Sequence, residues 1–462
     1  MPAKNDSKAV SESMKISKAK FKSKGGVHPL YHKQSTAGLP IEPLPLPAAF
    51  FVSMSQHLGA PATPIVKKGD KVQKGQLIAE PAGFISASIH APTSGTVKAV
   101  ASTPSIATGQ PVPCVEIEPD GEDKWVDTLR PRAAWRNLDA KALIERIAGA
   151  GIVGMGGAGF PTHVKLSPPP EKRINTLIIN GAECEPYLTA DHRMMIEHPE
   201  RIWGGIEIIR HILNVKSVYI AIEDNKPDAV DAMASVIEKA NGDAGVVLLK
   251  TEYPQGAEKQ MIYAVTGREV PSGGLPMDVE TLVENVGTCL ATFDAIVEGK
   301  PLIERVVTVT GDAVKQPRNI LARIGTPFSV LLDFCGGISE ETGKLICGGP
   351  MMGFAQNSPS AAITKTSSGI LALSRKKISQ FDSTPCISCG RCVGACPMRL
   401  LPCSISEFIE AEDYPGAGGY NVLDCIECGS CAFVCPAHRP LVQHMRRGKA
   451  ELARIRREKE TA

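Results

Sequence analysis

Cys386-Ile-Ser-Cys389-Gly-Arg-Cys392-Val-Gly-Ala-Cys396-Pro397 and Cys425-Ile-Glu-Cys428-Gly-Ser-Cys431-Ala-Phe-Val-Cys435-Pro436 decide how the last third of this chain folds. Both stretches read C-x2-C-x2-C-x3-C-P, the spacing that holds [4Fe–4S] clusters in two-cluster iron–sulfur proteins. Three cysteines two residues apart wrap a tight turn around one cube, and their sulfurs converge on three irons. The fourth iron is reached by the remote cysteine of the partner run. One cluster is therefore expected on Cys386, Cys389, Cys392 and Cys435, the other on Cys425, Cys428, Cys431 and Cys396. Two structural zinc sites are the competing reading, but zinc usually takes two C-x2-C pairs across a longer loop, without a third close cysteine or a Cys-Pro ending. Cys114, Cys184, Cys289, Cys335, Cys347 and Cys403 lie outside the runs and are expected as small buried residues. Ile405 to Glu412 should form a short helix between the two halves.

Outward from these runs, 462 residues imply three or four domains. A net charge of +2 gives no whole-chain argument for nucleic acid. Fourteen cysteines without a secretory signal point to a reducing compartment. No apolar run approaches the roughly 18 residues of a membrane span. Residues 1–24 are rich in Ser and Lys and are expected as a disordered basic tail; a basic arm touching anionic lipid or a partner is the sharper alternative. Residues 446–462 are expected as a basic C-terminal helix or tail.

Residues 25–130 divide into an irregular Pro- and Gly-rich lead-in and a small β-domain. Short strands around Thr63–Glu80 and Ile89–Val100 are bounded by Gly-Asp, Lys-Gly and Ser-Gly turns. Between 131 and 300, helical spacing at Leu143, Ile144 and Ile147 and over Ile202–Leu213 alternates with the buried strands Thr176–Ile179 and Val218–Ile222. That alternation predicts an α/β domain with a largely parallel sheet. Residues 301–375 hold further strand patterns, the last at Ser367–Ser374, and residues 376–445 carry the cysteine runs.

Gly154-Met-Gly-Gly-Ala-Gly159 satisfies G-x-G-x-x-G, yet its surroundings depart from the Rossmann fingerprint. Helical spacing precedes it where a strand should stand, and Phe160-Pro161 follows at once where a helix should open. Four glycines in six residues imply close approach of a ligand to backbone, and exposed N–H groups there make an anion nest.

The β-domain resembles the biotinyl/lipoyl carrier fold, a flattened barrel-sandwich, but the tip Gly83–Ile89 has no Lys to modify, so the domain is read as structural. Arg305–Gly311, Pro317 and Gly325–Leu332 resemble the soluble ligand-binding β-grasp family; a ligand site and a packing spacer both remain open. Gly154-Met-Gly-Gly-Ala-Gly-Phe-Pro-Thr-His-Val-Lys165 is similar to the flavin loop of the NADH-binding flavoprotein subunit of respiratory complex I, and Ile179–Pro186, Val283–Thr288 and Tyr253–Glu258 agree with further segments of it. With a carrier-like domain in front and two-cluster ferredoxin-like runs behind, the chain resembles the RnfC family of Rnf-type ion-translocating electron transport complexes.

That resemblance implies non-covalent FMN along the glycine loop, with NAD(H) as substrate on its exposed face. Gly154, Gly156, Gly157 and Gly159 would give close backbone approach, and Lys165 would meet the FMN phosphate. Asn180 and Asn285 would hydrogen-bond the flavin or its ribityl chain, Phe160 would stack on the dinucleotide, and Glu183, Glu185 and Glu258 would line the nucleotide pocket. Met155 stands where complex I subunits carry Arg, and Ala182-Glu183-Cys184 where they carry Asp-Glu-Gly. The implied activity is NADH/NAD:ferredoxin oxidoreduction by a peripheral protein on the cytoplasmic face of the bacterial inner membrane. Its partners would be membrane subunits, which translocate the ion, an iron–sulfur subunit and, through these, ferredoxin. Because NADH yields an electron pair and each cluster takes one electron, a flavin between them is a chemical requirement. No acid–base or nucleophilic residue is nominated. The alternatives are a soluble cobalamin reductase of bacterial microcompartments, built from the same modules, and a non-catalytic electron-transfer adaptor.

Overall fold

The alternating pattern between 131 and 300 becomes a five-stranded, wholly parallel sheet in a computed structural model that describes residues 16–22, 24–127, 134–378 and 381–461. Across the sheet the strands run Ile16–Lys18, Gly245–Leu249, Ser217–Glu223, Thr176–Gly181 and Thr281–Asn285. Period-2 alternation sends Leu177 and Ile179 to a large core on one face and Ile178 to a smaller core on the other. The helices Ala140–Gly149, Pro199–Leu213, Pro227–Lys239 and Val286–Phe293 contribute to the large core, and Glu258–Thr266 covers the opposite face. Pro199 starts its helix at the position where no N–H is needed, and Asn214 ends it in the left-handed conformation. Gly205 lets that helix lie directly on Val286–Phe293: a Cβ there would stand 1.8 Å from the Cys289 carbonyl oxygen.

Strand order gives the sheet its functional edge. From Thr176–Gly181 the chain steps outward through Ser217–Glu223 to Gly245–Leu249, then returns to place Thr281–Asn285 on the other side of the first strand. The crevice beyond the carboxyl ends of Thr176–Gly181 and Thr281–Asn285 is thus the topological switch point, where open parallel sheets bind ligands.

The N-terminal tail expected through Lys24 is corrected in part. Ile16–Lys18 pairs in parallel with Val246–Leu248 as an edge strand, because its backbone finds an unpaired strand there despite its polar side chains. Residues 1–15 lie outside the described residues. The lead-in also leaves the β-domain it precedes. Val27 bridges Tyr253, Gly26 N donates to the Ala395 carbonyl, Lys33 enters the α/β domain, and Ile41–Pro43 pairs with Asn319–Leu321. It is a strap across three domains, its backbone satisfied by each in turn.

The β-domain packs a four-stranded sheet (Phe50–Ser53, Pro111–Pro119, Gly95–Pro104, Lys71–Val72) on a three-stranded one (Thr63–Pro64, Leu77–Glu80, Ile89–His90) around Phe50, Val52, Ile78, Ile89 and Val115. Residues 301–375 form a mixed six-stranded sheet that includes Ile41–Pro43, with the helix Phe328–Phe334 packed on it. Asp123 joins these two domains, bonding Lys74 at 2.9 Å and the Arg323 guanidinium through both carboxylate oxygens. Burial alone would raise the Asp123 pKa; the Arg323 and Lys74 bonds outweigh it and hold the carboxyl down to about 2. A depressed pKa stabilises the fold above the unfolded carboxylate range, near pH 4, and that contribution disappears as pH falls from there to about 2. Asp123→Asn should therefore lower stability at pH 7 by roughly 1–2 kcal/mol and narrow its gap to the unsubstituted chain near pH 2, read from urea midpoints at both pH values.

The cysteine-rich domain is built from short helices, Arg391–Ala395, Pro402–Glu410, Tyr414–Gly419 and Ser430–Phe433, against the long Leu441–Thr461. Ile405, Ile409, Val422 and Met445 are its core. The helix expected at Ile405–Glu412 is Pro402–Glu410, and the basic C-terminal segment continues the helix begun at Leu441. Among the described residues no helix is long and apolar enough to cross a membrane.

Candidate functional site

At the switch point the carboxyl-terminal residues Asn180 and Asn285 stand directly opposite each other on adjacent parallel strands. The Asn285 side chain caps the helix Val286–Phe293, its Oδ1 accepting from Gly287 N at 2.8 Å, and its Nδ2 donates to Asp191 at 2.7 Å. Asn180 ties Gly256 to the sheet, donating to its carbonyl at 2.9 Å and accepting from Ala182 N.

The glycine loop closes over this crevice. Gly154 N donates to the Phe160 carbonyl and Met155 N to Thr288 Oγ1 at 3.0 Å, so the loop is pinned at its base and by the same helix that Asn285 caps. Gly156, Gly157 and Ala158 are exposed, and among the described residues no protein group accepts their backbone N–H groups. A Cβ on Gly156 would come within 2.9 Å of Asn285 Nδ2, whereas one on Gly157 would meet nothing within 4 Å. Bare N–H groups beside open space, next to the Asn285 amide, are a cradle suited to a phosphorylated planar cofactor. Gly159 turns at positive φ against Thr366 and His57, and its carbonyl accepts from Leu58 N, so the tip of the β-domain braces the loop. Phe160 is half-buried at the loop's end, and Pro161 opens the single turn Thr162–Lys165, which confirms the departure from a Rossmann unit.

The charged residues expected around the nucleotide are engaged within the protein. Lys165 Nζ donates to Glu258 at 3.0 Å and to the Val283 carbonyl, with Glu284 at 4.0 Å, so it fastens the loop's helical turn to the strand ending in Asn285. Burial opposes its charge, but Glu284 and Glu258 prevail and raise its pKa. Glu284 is buried, and among the described residues its Oε1 has no hydrogen-bond partner. The Glu183 carboxylate accepts from Asp191 N at 2.8 Å and His192 N at 3.2 Å, capping the helix Ala190–Glu197. Glu185 accepts from Met351 N and Met352 N; burial raises its pKa to about 7 against those two bonds. Two residues escaped the sequence reading. Asp191 is held by Asn285, and burial raises its pKa. Lys33, delivered by the strap, donates to the carbonyls of Glu183, Glu185 and Leu188. Only their distant partners reveal them, and no local pattern does.

The cysteines gather as two crossed sets. Cys386, Cys389, Cys392 and Cys435 line one cavity, and Cys396, Cys425, Cys428 and Cys431 line another. The two runs repeat one backbone form. Ser388 and Glu427 have positive φ, as do Gly390 and Gly429, and then Arg399 and His438. In the first turn of each run an N–H points at the leading sulfur, Ser388 N to Cys386 and Glu427 N to Cys425, both at 3.4 Å. Among the described residues no three His, Cys, Asp or Glu side chains converge as tightly as one metal ion requires. Sulfurs spread around a cavity suit a four-iron cube better than a zinc tetrahedron. Cys114, Cys184, Cys289, Cys335 and Cys347 are buried, as expected. Cys403 departs from that expectation: it is only partly buried and lines the first cavity.

The two centres are neighbours. Val27, Cys184, Tyr253, Ala395 and Cys428 form one apolar cluster, and the Tyr253 hydroxyl donates to the Cys428 carbonyl at 2.7 Å. Cys184 in turn accepts from Gly256 N, beside Asn180. Cys428 of the second cavity is thus packed with Cys184 and Tyr253 of the α/β domain, and Cys392, Cys431 and Cys435, from the two cavities, pack in one cluster. Cys386 and Cys389, on the first cavity, are exposed.

A switch-point cradle, joined to two four-cysteine cages, defines an electron-transfer flavoprotein with iron–sulfur clusters. Family models divide the chain in agreement: an RnfC barrel sandwich hybrid domain at 21–122, a Nuo51 FMN-binding domain at 147–294, an SLBB domain at 306–355 and a 4Fe-4S dicluster domain at 378–436. FMN and two [4Fe–4S] clusters are its cofactors. The C subunit of the proton-translocating ferredoxin:NAD(+) oxidoreductase complex of Clostridium ljungdahlii is 52% identical over 429 residues, 93% of each chain. Its counterpart in the Na(+)-translocating ferredoxin:NAD(+) oxidoreductase complex of Acetobacterium woodii is 47% identical, covering 94% of this chain and 98% of its own. A solved NAD+-reducing [NiFe]-hydrogenase chain aligns with a TM-score of 0.47 at 17% identity, over 69% of this chain and 65% of that one. The chain belongs to the RnfC family of ion-translocating oxidoreductase complexes, and it is an electron-transfer protein whose partners are the other subunits of such a complex.

Proposed function

We propose that this protein carries electrons between NAD(H) and, through partner subunits, ferredoxin, at the cytoplasmic face of the membrane. The observation that carries the reading is the apolar bridge from the crevice to the Cys428 cage through Cys184 and Tyr253. When bound, FMN converts the electron pair of a nicotinamide hydride into single electrons that clusters can accept. Gly156, Gly157 and Ala158 present their N–H groups to the cofactor, and Asn180 and Asn285 hold the strand ends that face it. Phe160 borders the dinucleotide. Lys165 and Glu258 support the crevice by pairing with each other, Glu183 supports it by capping the helix Ala190–Glu197, and Glu185 locks the α/β domain to the Met351 loop beside Gly429. Cys425, Cys428, Cys431 and Cys396 hold the inner cluster, and Cys386, Cys389, Cys392 and Cys435 hold the outer one. The exposed Cys386 and Cys389, with Ile387 between them 65% exposed, form the exit toward a partner. The membrane subunits translocate the ion.

Asn285→Ala removes both the helix cap and the Asp191 contact. It should weaken FMN binding about tenfold, measured by flavin fluorescence on titration, and lower stability by about 1 kcal/mol. The function itself is tested by adding NADH anaerobically to the chain loaded with FMN, iron and sulfide. Flavin bleaching with reduced-cluster EPR signals supports the reading. Bleaching without cluster reduction breaks the proposed path, and neither signal leaves an adaptor.

A further inference from the structure

The two halves of the cysteine domain repeat so closely that their differences can be read position by position. Seven residues after Cys396 stands Cys403, and seven after Cys435 stands Val442; three further on, the pair is Ser406 and Met445. Each member holds the equivalent place in three dimensions. Cys403 and Val442 are the second residues of the helices Pro402–Glu410 and Leu441–Thr461. Cys403 and Ser406 line the outer cavity, and Val442 and Met445 line the inner one. One cage thus has a thiol and a hydroxyl where the other has only apolar groups.

Cys403 stands beside a ligand position: it packs against the apolar cluster that holds Cys392 and lines the same cavity as Cys392. Pro402 in front of it has no N–H to offer. Ser406 is buried, its Oγ within 2.7 Å of His444 Nδ1 and 3.2 Å of Arg439, which also lines this cavity. On the inner side the Ser430 hydroxyl accepts from Cys428 Sγ at 3.4 Å.

We infer that Cys403 is a positioning residue of the outer cluster: its S–H donates to the cluster-bound sulfur of Cys392 and raises that cluster's reduction potential, a donor that Val442 denies the inner cluster. The physical reason is that a hydrogen bond to a ligand sulfur withdraws electron density and favours the more negative, reduced cluster. The inference rests on the ligand assignment proposed above.

The test is an anaerobic redox titration of the full chain followed by EPR, with iron counted on each preparation. Cys403→Val copies the second half of the repeat and should leave about eight irons per chain while shifting one midpoint to lower potential, the other staying in place. Cys403→Ser restores a donor and should return most of the shift. Retained iron with both midpoints unmoved in Cys403→Val overturns the inference and leaves the ligand assignment standing. Loss of about four irons in Cys403→Val and in Cys403→Ser also overturns it, since Cys403 would then be a ligand. An unsubstituted chain that binds fewer than about eight irons removes the ligand assignment, and the inference with it.

Discussion

Gly157→Val is expected to fold as the unsubstituted chain does and to bind FMN roughly 100-fold more weakly, a loss of about 2.8 kcal/mol. The separation of the two effects follows from the cradle. A Cβ at residue 157 meets no atom within 4 Å, and the backbone there does not adopt the left-handed form that reserves a position for glycine, so nothing in the protein resists the side chain. It projects instead into the space beside the bare N–H groups of Gly156 and Ala158. Gly156 provides the contrast. A Cβ on it would stand 2.9 Å from Asn285 Nδ2, so Gly156→Val should lower stability as well as FMN binding, by displacing the amide that caps the helix Val286–Phe293. Equilibrium dialysis of FMN, with thermal unfolding of the flavin-free chains, checks both statements. Unchanged FMN affinity in Gly157→Val would remove the loop from the site.

Cys428→Ala should divide the electron path in two. Cys428 is buried, lines the inner cage and receives the Tyr253 hydroxyl on its carbonyl, so the substitution removes a sulfur while leaving that backbone contact in place. Iron should fall from about eight to about four per chain. Bleaching of the flavin by NADH should continue at its original rate. Reduction of the outer cluster should slow by roughly 100-fold or more, because the stop between the crevice and the Cys386 cage is gone. Cys114→Ala, deep in the β-domain, is the control and should change neither iron nor rates. A variant that keeps fast reduction of the outer cluster would place the electron entry elsewhere.

The cages were the most legible part of the sequence because the geometry that builds them is local. Two residues between cysteines fix the turn, and the left-handed positions at Gly390 and Gly429 fall where glycine permits them. The crossed membership of Cys396 and Cys435 follows from the same pattern. The glycine loop was legible as a place of close approach, but its partners came from the resemblance, since nothing near Asn180 in the chain announces Asn285. Sheet register alone sets them face to face. Contacts made by single residues across 150 positions or more were not legible. Lys33 on Glu183 and Tyr253 on the Cys428 carbonyl belong to this class. So does Ile16–Lys18, a polar segment that becomes a strand only because the sheet offers an open edge. Glu183 and Glu185 were expected to line the nucleotide pocket; the backbone N–H groups that their carboxylates accept come from distant segments and were not legible. Cys403 was read as a small buried residue; its offset from Cys396 matches that of Val442 from Cys435, but only the structure shows that it lines the outer cavity.

The central claim is that the crevice and the two cages form one conducting unit, entered at the flavin and left at the outer cluster. Anaerobic rapid mixing of the loaded chain with NADH, followed by flavin absorbance and freeze-quench EPR in the same experiment, tests it most directly. The account predicts flavin bleaching first, then one reduced-cluster signal, then the second, with Cys428→Ala removing the inner-cluster signal and slowing the outer one by roughly 100-fold or more. Cluster signals that rise before or without flavin reduction would contradict it.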